Sequence, residues 1–414
     1  MQNLRGAIRQ RCDEGGIDSL EYLFPVFGLF HLRMTFVAMI YLNHHGGTTS
    51  KEFSHLNVII EKLGLHGFKD TKMHNFRAVE DLLEQAYASY ISAWICELFP
   101  PPVGTLLSQK ERRNFAATKI HSLGKKKAFE QVIVPLYHAL YSITRKEQRQ
   151  QESTTRGALF NQLFDFMRSM ALYGELKHDI RTGQVGRVSK VLRLILPYFA
   201  GSTSHRYSKE LVAFQMMEYT ADPDTWNYIL DNCLIQSKLG GWIEADCKME
   251  HLVRTQKDSY TAHGGSFRWD NMNEYTSLLS TLMYETKLAF ANSLREETIK
   301  GRHYNPSMER GILNVTDEII HGKILDQDSL SSANPNTVEL YTKGMGELQT
   351  FDMEQVREML YGNQLLDEHM IGVADDLFDG VDIAPGGLDD PDDMGDNQGL
   401  TDEQLMPPPP LSIQ

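Results

Sequence analysis

The stretch Gly240-Gly241-Trp242-Ile243-Glu244-Ala245-Asp246-Cys247-Lys248-Met249-Glu250-His251 decides how the chain is read. It sets three carboxylates and an imidazole within eight residues, behind two glycines and a tryptophan. Asp246 and Glu250 stand four apart, so on a helix they share a face. Glu244 and His251 stand seven apart, about two turns, and on one helix would share a face as well. Two readings are open. A helix this charged ordinarily turns its charge to water. The sharper alternative is a carboxylate face that lines an inward site.

Working outward toward the N-terminus, Leu23-Phe24-Pro25-Val26-Phe27-Gly28-Leu29-Phe30 is a short apolar run, rich in aromatics and with no helical polar face. That pattern reads as a buried strand. Pro25 sits near its start, where a missing N–H is tolerated. His31 then falls at a strand end, as a satisfied buried histidine, and helix is expected from Leu32 to His44. The apolar length from Leu23 to Leu42 imitates a membrane span but holds Arg33, and an arginine at the centre of a span costs roughly 2.5–3.5 kcal/mol. No membrane partner is expected.

The rest is helical by periodicity. Residues 2–13 read as a short basic helix, and Leu56–Leu63 as an apolar one. Phe76–Phe99 carries Val79, Leu82, Leu83, Ala86, Tyr90 and Trp94 at three- and four-residue steps and stops at Pro100. Further helices are expected over Ala128–Thr144, kinked at Pro135, then Leu159–Tyr173, Val188–Phe199, Tyr207–Tyr219 and Pro223–Gln236. Asp222 is the N-cap of the last, with Pro223 in its first position. A long amphipathic helix is expected over Trp269–Asn292. No fixed repeat period occurs.

Charge divides the chain. Residues 351–414 hold 16 Asp/Glu against Arg357 alone, leaving +1 of the net −14 for residues 1–350. From about Asp326 the composition turns to Asp, Ser, Asn and Gly, a disorder signature. Leu377, Phe378, Val381 and Ile383 interleave the acidic residues and leave room for a protein-binding motif. Lys110–Arg156 is basic, with 11 Lys/Arg against 4 Glu, including Arg112, Arg113 and the run Lys125-Lys126-Lys127. Such a patch can meet nucleic-acid phosphates or be a solvated surface. Tyr137 and Tyr141 read as core positions, which leaves few aromatics for stacking on bases.

Four scattered cysteines fit free thiols in a reducing, intracellular setting, nuclear or cytoplasmic. No Cys-x-x-Cys pair, phosphate-binding glycine loop or Gly-x-Ser-x-Gly elbow occurs, which removes the zinc-knuckle, nucleotide-loop and serine-hydrolase readings. His44, His45 and His55, with His66 nearby, read as surface and loop histidines.

Four stretches resemble a fungal family of uncharacterised proteins, the domain of unknown function 6589: Asn3–Asp13, Leu23–Met34, Arg206–Leu211 and Gly240–His251 with Lys257 and Ala262-His263-Gly264. Members look like relatives of transposases with a ribonuclease-H-like core. The resemblance implies a small α/β remnant, with residues 32–239 as a helical insertion, and Glu244 or Glu250 as the third carboxylate of a metal site. Glu244, Asp246 and Glu250 are then the remnant catalytic set, with His31 and His251 beside them. Mg or Mn would enter only if the site were completed, since such cores hold two divalent ions between three carboxylates. The family's acidic motif ahead of the first helix has no counterpart after Met1, and Val253 stands where members often carry asparagine. The expectation is a mainly α protein, a helical domain over 1–325 and an acidic tail over 326–414. Its leading function is a transposase-derived, catalytically incomplete protein with residual affinity for DNA. The alternatives are a helical interaction scaffold that recruits partners through its tail, and a metal-dependent nuclease or strand-transfer enzyme completed by another chain.

Overall fold

A computed structural model describes residues 26–46, 55–63, 76–105, 107–141, 158–202, 205–236, 241–261, 306–322 and 338–351, with 282, 286, 289 and 356. The helix expected over residues 2–13 and the segment 373–414 lie outside the described residues. So does the helix expected over 269–292, except residues 282, 286 and 289, which are helical.

The chain is mainly helical around one apolar element, α1 (Leu29–His44), in which 12 of 16 residues are buried. A helix that is apolar all round belongs in the middle of a core. The strand expected over 23–30 is therefore corrected: residues 26–28 are extended but unpaired, and helix begins at Leu29. A short apolar run with no polar face fits a buried helix as well as a buried strand, and the sixteen-residue length decides it. Phe36 sits at its centre, with ring centroids of Tyr198 and Phe199 at 5.9 and 5.8 Å.

α2 (Leu56–Leu63) and α3 (Phe76–Leu98) follow the predicted periodicity. α4 (Gln109–Ala128) opens on a capping box, Ser108 with Glu111, which satisfies two otherwise orphan N–H groups. It breaks at Gly124, whose φ of 71° suits glycine. A π-helical turn, Phe129–Ile133, leads into α5 (Val134–Tyr141). This is where the proline kink was expected: Pro135 has no N–H to give the helix ladder. α6 (Ala158–Arg181) and α7 (Val185–Gly201) lie against one another, and α8 (His205–Thr220) packs on α7.

α9 (Pro223–Asp231) starts as the sequence predicts, with Asp222 accepting from the N–H groups of Asp224 and Thr225. It stops five residues short of Gln236. The Asn232 side chain donates to the Tyr228 carbonyl at 2.8 Å and closes the last turn. β1 (Leu234–Gln236) then pairs antiparallel with β2 (Trp242–Glu244), Leu234 opposite Glu244. Among the described residues this hairpin is the whole sheet, and no larger α/β core is seen there. The helices assigned to an insertion build the hydrophobic core themselves.

α10 (Ala245–Thr261) follows β2 directly. α11 (Pro306–His321) packs on α3 and α2, burying Val315, Ile319 and Ile320. α12 (Leu340–Gln349) lies on α7 so closely that a Cβ on Gly344 would run into the Pro197 carbonyl, and one on Gly201 into that of Leu340. Residues 340–349, counted with the tail from their composition, form this helix. Among the described residues no helix is long and apolar enough to cross a membrane.

Candidate functional site

Three of the four stretches singled out in the sequence meet at the N-terminus of α1. Gly28 is its N-cap and supplies no capping side chain. Asp246, from the first turn of α10, does so across the fold. Its Oδ1 accepts from the Phe30 N–H at 3.1 Å and its Oδ2 from the His31 N–H at 3.2 Å. A carboxylate at these free N–H groups is favoured by both hydrogen bonding and the helix dipole. Gly28 has to be glycine because a Cβ there would occupy the Asp246 carboxylate. Tyr207, from the third stretch, lies close by: burial first, and then the Asp246 charge, push its pKa up.

Asp246 also takes the His31 ring, Nδ1 to Oδ2 at 2.9 Å, and Glu250 lies 3.7 Å from Nε2. The four-residue spacing thus brings both carboxylates to one imidazole. The hydrogen bond to Asp246 raises the His31 pKa above its ordinary value against the pull of burial, and the charges of Asp246 and Glu250 add to it. Burial works against the Asp246 carboxylate, yet His31 and the two N–H donors hold its pKa below the ordinary value. His31 is half-buried, on the first turn of a helix; the buried strand-end position expected for it is corrected.

Glu244 goes elsewhere. It closes β2 and is not on the helix, so the two-turn spacing to His251 does not align them. It is buried and pairs with Arg33 at 3.2 Å. Arg33 also lies over the Phe76 ring, 5.6 Å from its centroid. Burial disfavours its charge, but Glu244, Tyr173 and Glu80 outweigh that and raise its pKa. Behind it, Tyr173 donates to Glu80, and Lys177 lies 3.1 Å from Glu80 and 2.6 Å from Glu84. Sequence reasoning missed Arg33, Glu80, Tyr173 and Lys177 as one network. The signal for it was a lone arginine inside an apolar run, which needs a buried partner.

These carboxylates do not fit a pair of divalent ions. The oxygens of Asp246 are spent on α1 and His31, Glu244 is committed to Arg33, and Glu250 faces His31. Among the described residues no three His, Cys, Asp or Glu stand together as metal ligands. His251 lies one turn beyond Cys247, Nε2 to Sγ 3.7 Å. Burial and the neighbouring Glu244 push that thiol up to about 12, so it stays protonated and is no nucleophile. His44, His45 and His55 are buried, which corrects their placement on the surface. His44 is pushed down to about 3 by burial and by His55, and packs edge-on to Phe166 as a neutral ring.

The basic residues separate into two groups. Arg113 is a fold residue, paired with Asp317 and donating to the Leu313 carbonyl at 3.3 Å, which joins α4 to α11. Arg112 lies 3.4 Å from Glu97. Lys125, Lys126 and Lys127 are exposed, open the segment after the Gly124 break, and form no ion pair among the described residues. Phe129 is 58% exposed and Tyr137 59%. The core position expected for Tyr137 is corrected: α4 and α5 form an arm that rests on the core through few residues, Ala116 and Leu140 among them.

A model of a family of unknown function, DUF6589, matches residues 1–303. No curated protein and no solved structure matches the chain. The N-terminal turn of α1, Tyr207 and the β2–α10 junction all fall within the matched residues, whereas α11 and α12 lie beyond them.

Proposed function

The chain belongs to the DUF6589 family, and from that premise we propose that it is a transposase-derived protein, without a complete catalytic centre of its own, that binds DNA through the arm of residues 109–141. The observation that carries the binding is the exposure of Lys125, Lys126 and Lys127 on the same arm as the exposed rings of Phe129 and Tyr137. Within residues 109–141 there are seven Lys/Arg against two Glu. Three consecutive exposed cations follow the Gly124 break and repel one another. A phosphate placed there relieves the mutual repulsion of the three ammonium groups and releases counterions. Exposed rings along the same arm can stack on bases, which favours single strands.

The ancestry rests on the resemblance. The catalytic incompleteness is supported by the use of Glu244 and Asp246 inside the fold. The test is anisotropy of labelled single- and double-stranded oligonucleotides across a salt series, with and without Mg²⁺. Binding through the three lysines gives a log–log salt slope of about −2 on single strands, insensitive to Mg²⁺ apart from screening. No binding at low salt sinks this reading. It would leave the second one, a helical scaffold, which the exposed Phe129 and Ile133 favour as a protein-docking face.

A further inference from the structure

We infer that the arm is also the docking surface of the chain's own acidic segment, residues 375–383. Its exposed face combines Lys125–Lys127 with Phe129 and Ile133, 58% and 48% exposed and four residues apart. Basic charge flanking exposed apolar side chains calls for a partner with the inverse pattern. Asp375-Asp376-Leu377-Phe378-Asp379-Gly380-Val381-Asp382-Ile383 has it: four aspartates, four apolar residues and no cation. Opposite potentials steer the two together, and burial of apolar side chains holds them.

Placement supports the same occupant. One side chain, Arg168 of α6, bridges the arm's end and α12, the helix that precedes the acidic segment in the chain. The Arg168 guanidinium lies 5.8 Å from the Tyr341 ring centroid, and its Nε donates to the Leu140 carbonyl at 2.6 Å. Val356 is still buried on the core. Leu377 comes 21 residues later, a length whose random-coil span is about 25 Å. Lys125 to Leu140 is about 22 Å of helix. A tether of that span is comparable with the length of the arm, so a docked segment would act at the effective concentration of a tethered ligand.

Docking of the tail needs no DNA. Its consequence, competition with DNA for the lysines, rests on the function proposed above. The test treats a mixture of ¹⁴N- and ¹⁵N-labelled full-length chain with a zero-length carbodiimide, which joins lysine amines to carboxylates in contact. The expected products link Lys125–Lys127 to Asp375–Asp382 within one isotopic species, and are lost in Leu377→Ser/Phe378→Ser, which leaves every charge in place. Links that survive that variant, mixed-isotope links alone, or no links to this segment overturn the inference. In the second arm, Leu377→Ser/Phe378→Ser binds a single-stranded oligonucleotide about tenfold more tightly if the segment occupies the arm nine-tenths of the time. Failure of both chains to bind oligonucleotide removes the DNA reading and leaves the cross-linking result to judge the docking.

Discussion

The junction of α1 with α10 and the arm of α4 and α5 use the same residue types to opposite ends. At the junction every charge has a protein partner: Asp246 the end of α1, His31 two carboxylates, Arg33 the buried Glu244. On the arm Lys125–Lys127 stand in water with exposed rings beside them. Charge turned inward is committed to the fold and is costly to disturb. Charge turned outward contributes little to stability and is free to bind. The motif that looked catalytic in sequence belongs to the first class, and the plainer lysine run belongs to the second.

Each side of that contrast can be broken separately. The largest effect is expected at Glu244. Glu244→Gln leaves the Arg33 guanidinium charged and buried without its counter-ion, a loss of about 3–5 kcal/mol in chemical denaturation. Retention of full stability would show that Arg33 does not depend on the pair. Next is Gly344→Ala, which forces α12 off α7 and should cost about 1–3 kcal/mol by the same assay. An unchanged midpoint would mean that α12 contributes little to the core.

The His31 latch gives a smaller, pH-dependent effect. Its folded pKa is raised, so its contribution is full below the ordinary value of 6.5 and is lost as pH rises through the folded value. Asp246 has the opposite sign. Its depressed pKa gives a contribution present above 3.8 and lost as pH falls through its folded value. An NMR titration of the His31 ring should show a midpoint above 6.5 that drops in Asp246→Asn; a midpoint that stays put would place the cause outside this pair. The smallest effect on stability is at the arm. Lys125→Ala/Lys126→Ala/Lys127→Ala should change unfolding free energy by no more than about 0.5 kcal/mol.

What the sequence made legible was periodic. α2, α3, the stop at Pro100 and the start at Asp222-Pro223 follow from local rules that need no knowledge of neighbours. The four-residue step from Asp246 to Glu250 is of the same kind. What the sequence hid was tertiary. Nothing local tells α1 from a buried strand until its length is seen, and Glu244 falls on a strand because β1 pairs with it. The buried His44, His45 and His55 and the exposed Tyr137 go against their usual places. His44 packs on Phe166 and His45 on Tyr41, and Tyr137 is exposed because little of the arm rests on the core. Arg33 was visible as an anomaly, but its partner lies 211 residues away.

The central question is whether the outward charge is the functional one. The direct measurement is oligonucleotide affinity at low salt for the wild-type chain and for Lys125→Glu/Lys126→Glu/Lys127→Glu, with both shown to unfold at the same denaturant midpoint. Equal stability is expected, with binding that is salt-sensitive in the wild type and abolished in the variant. Binding that survives the triple charge reversal would contradict this and move the interface off the arm.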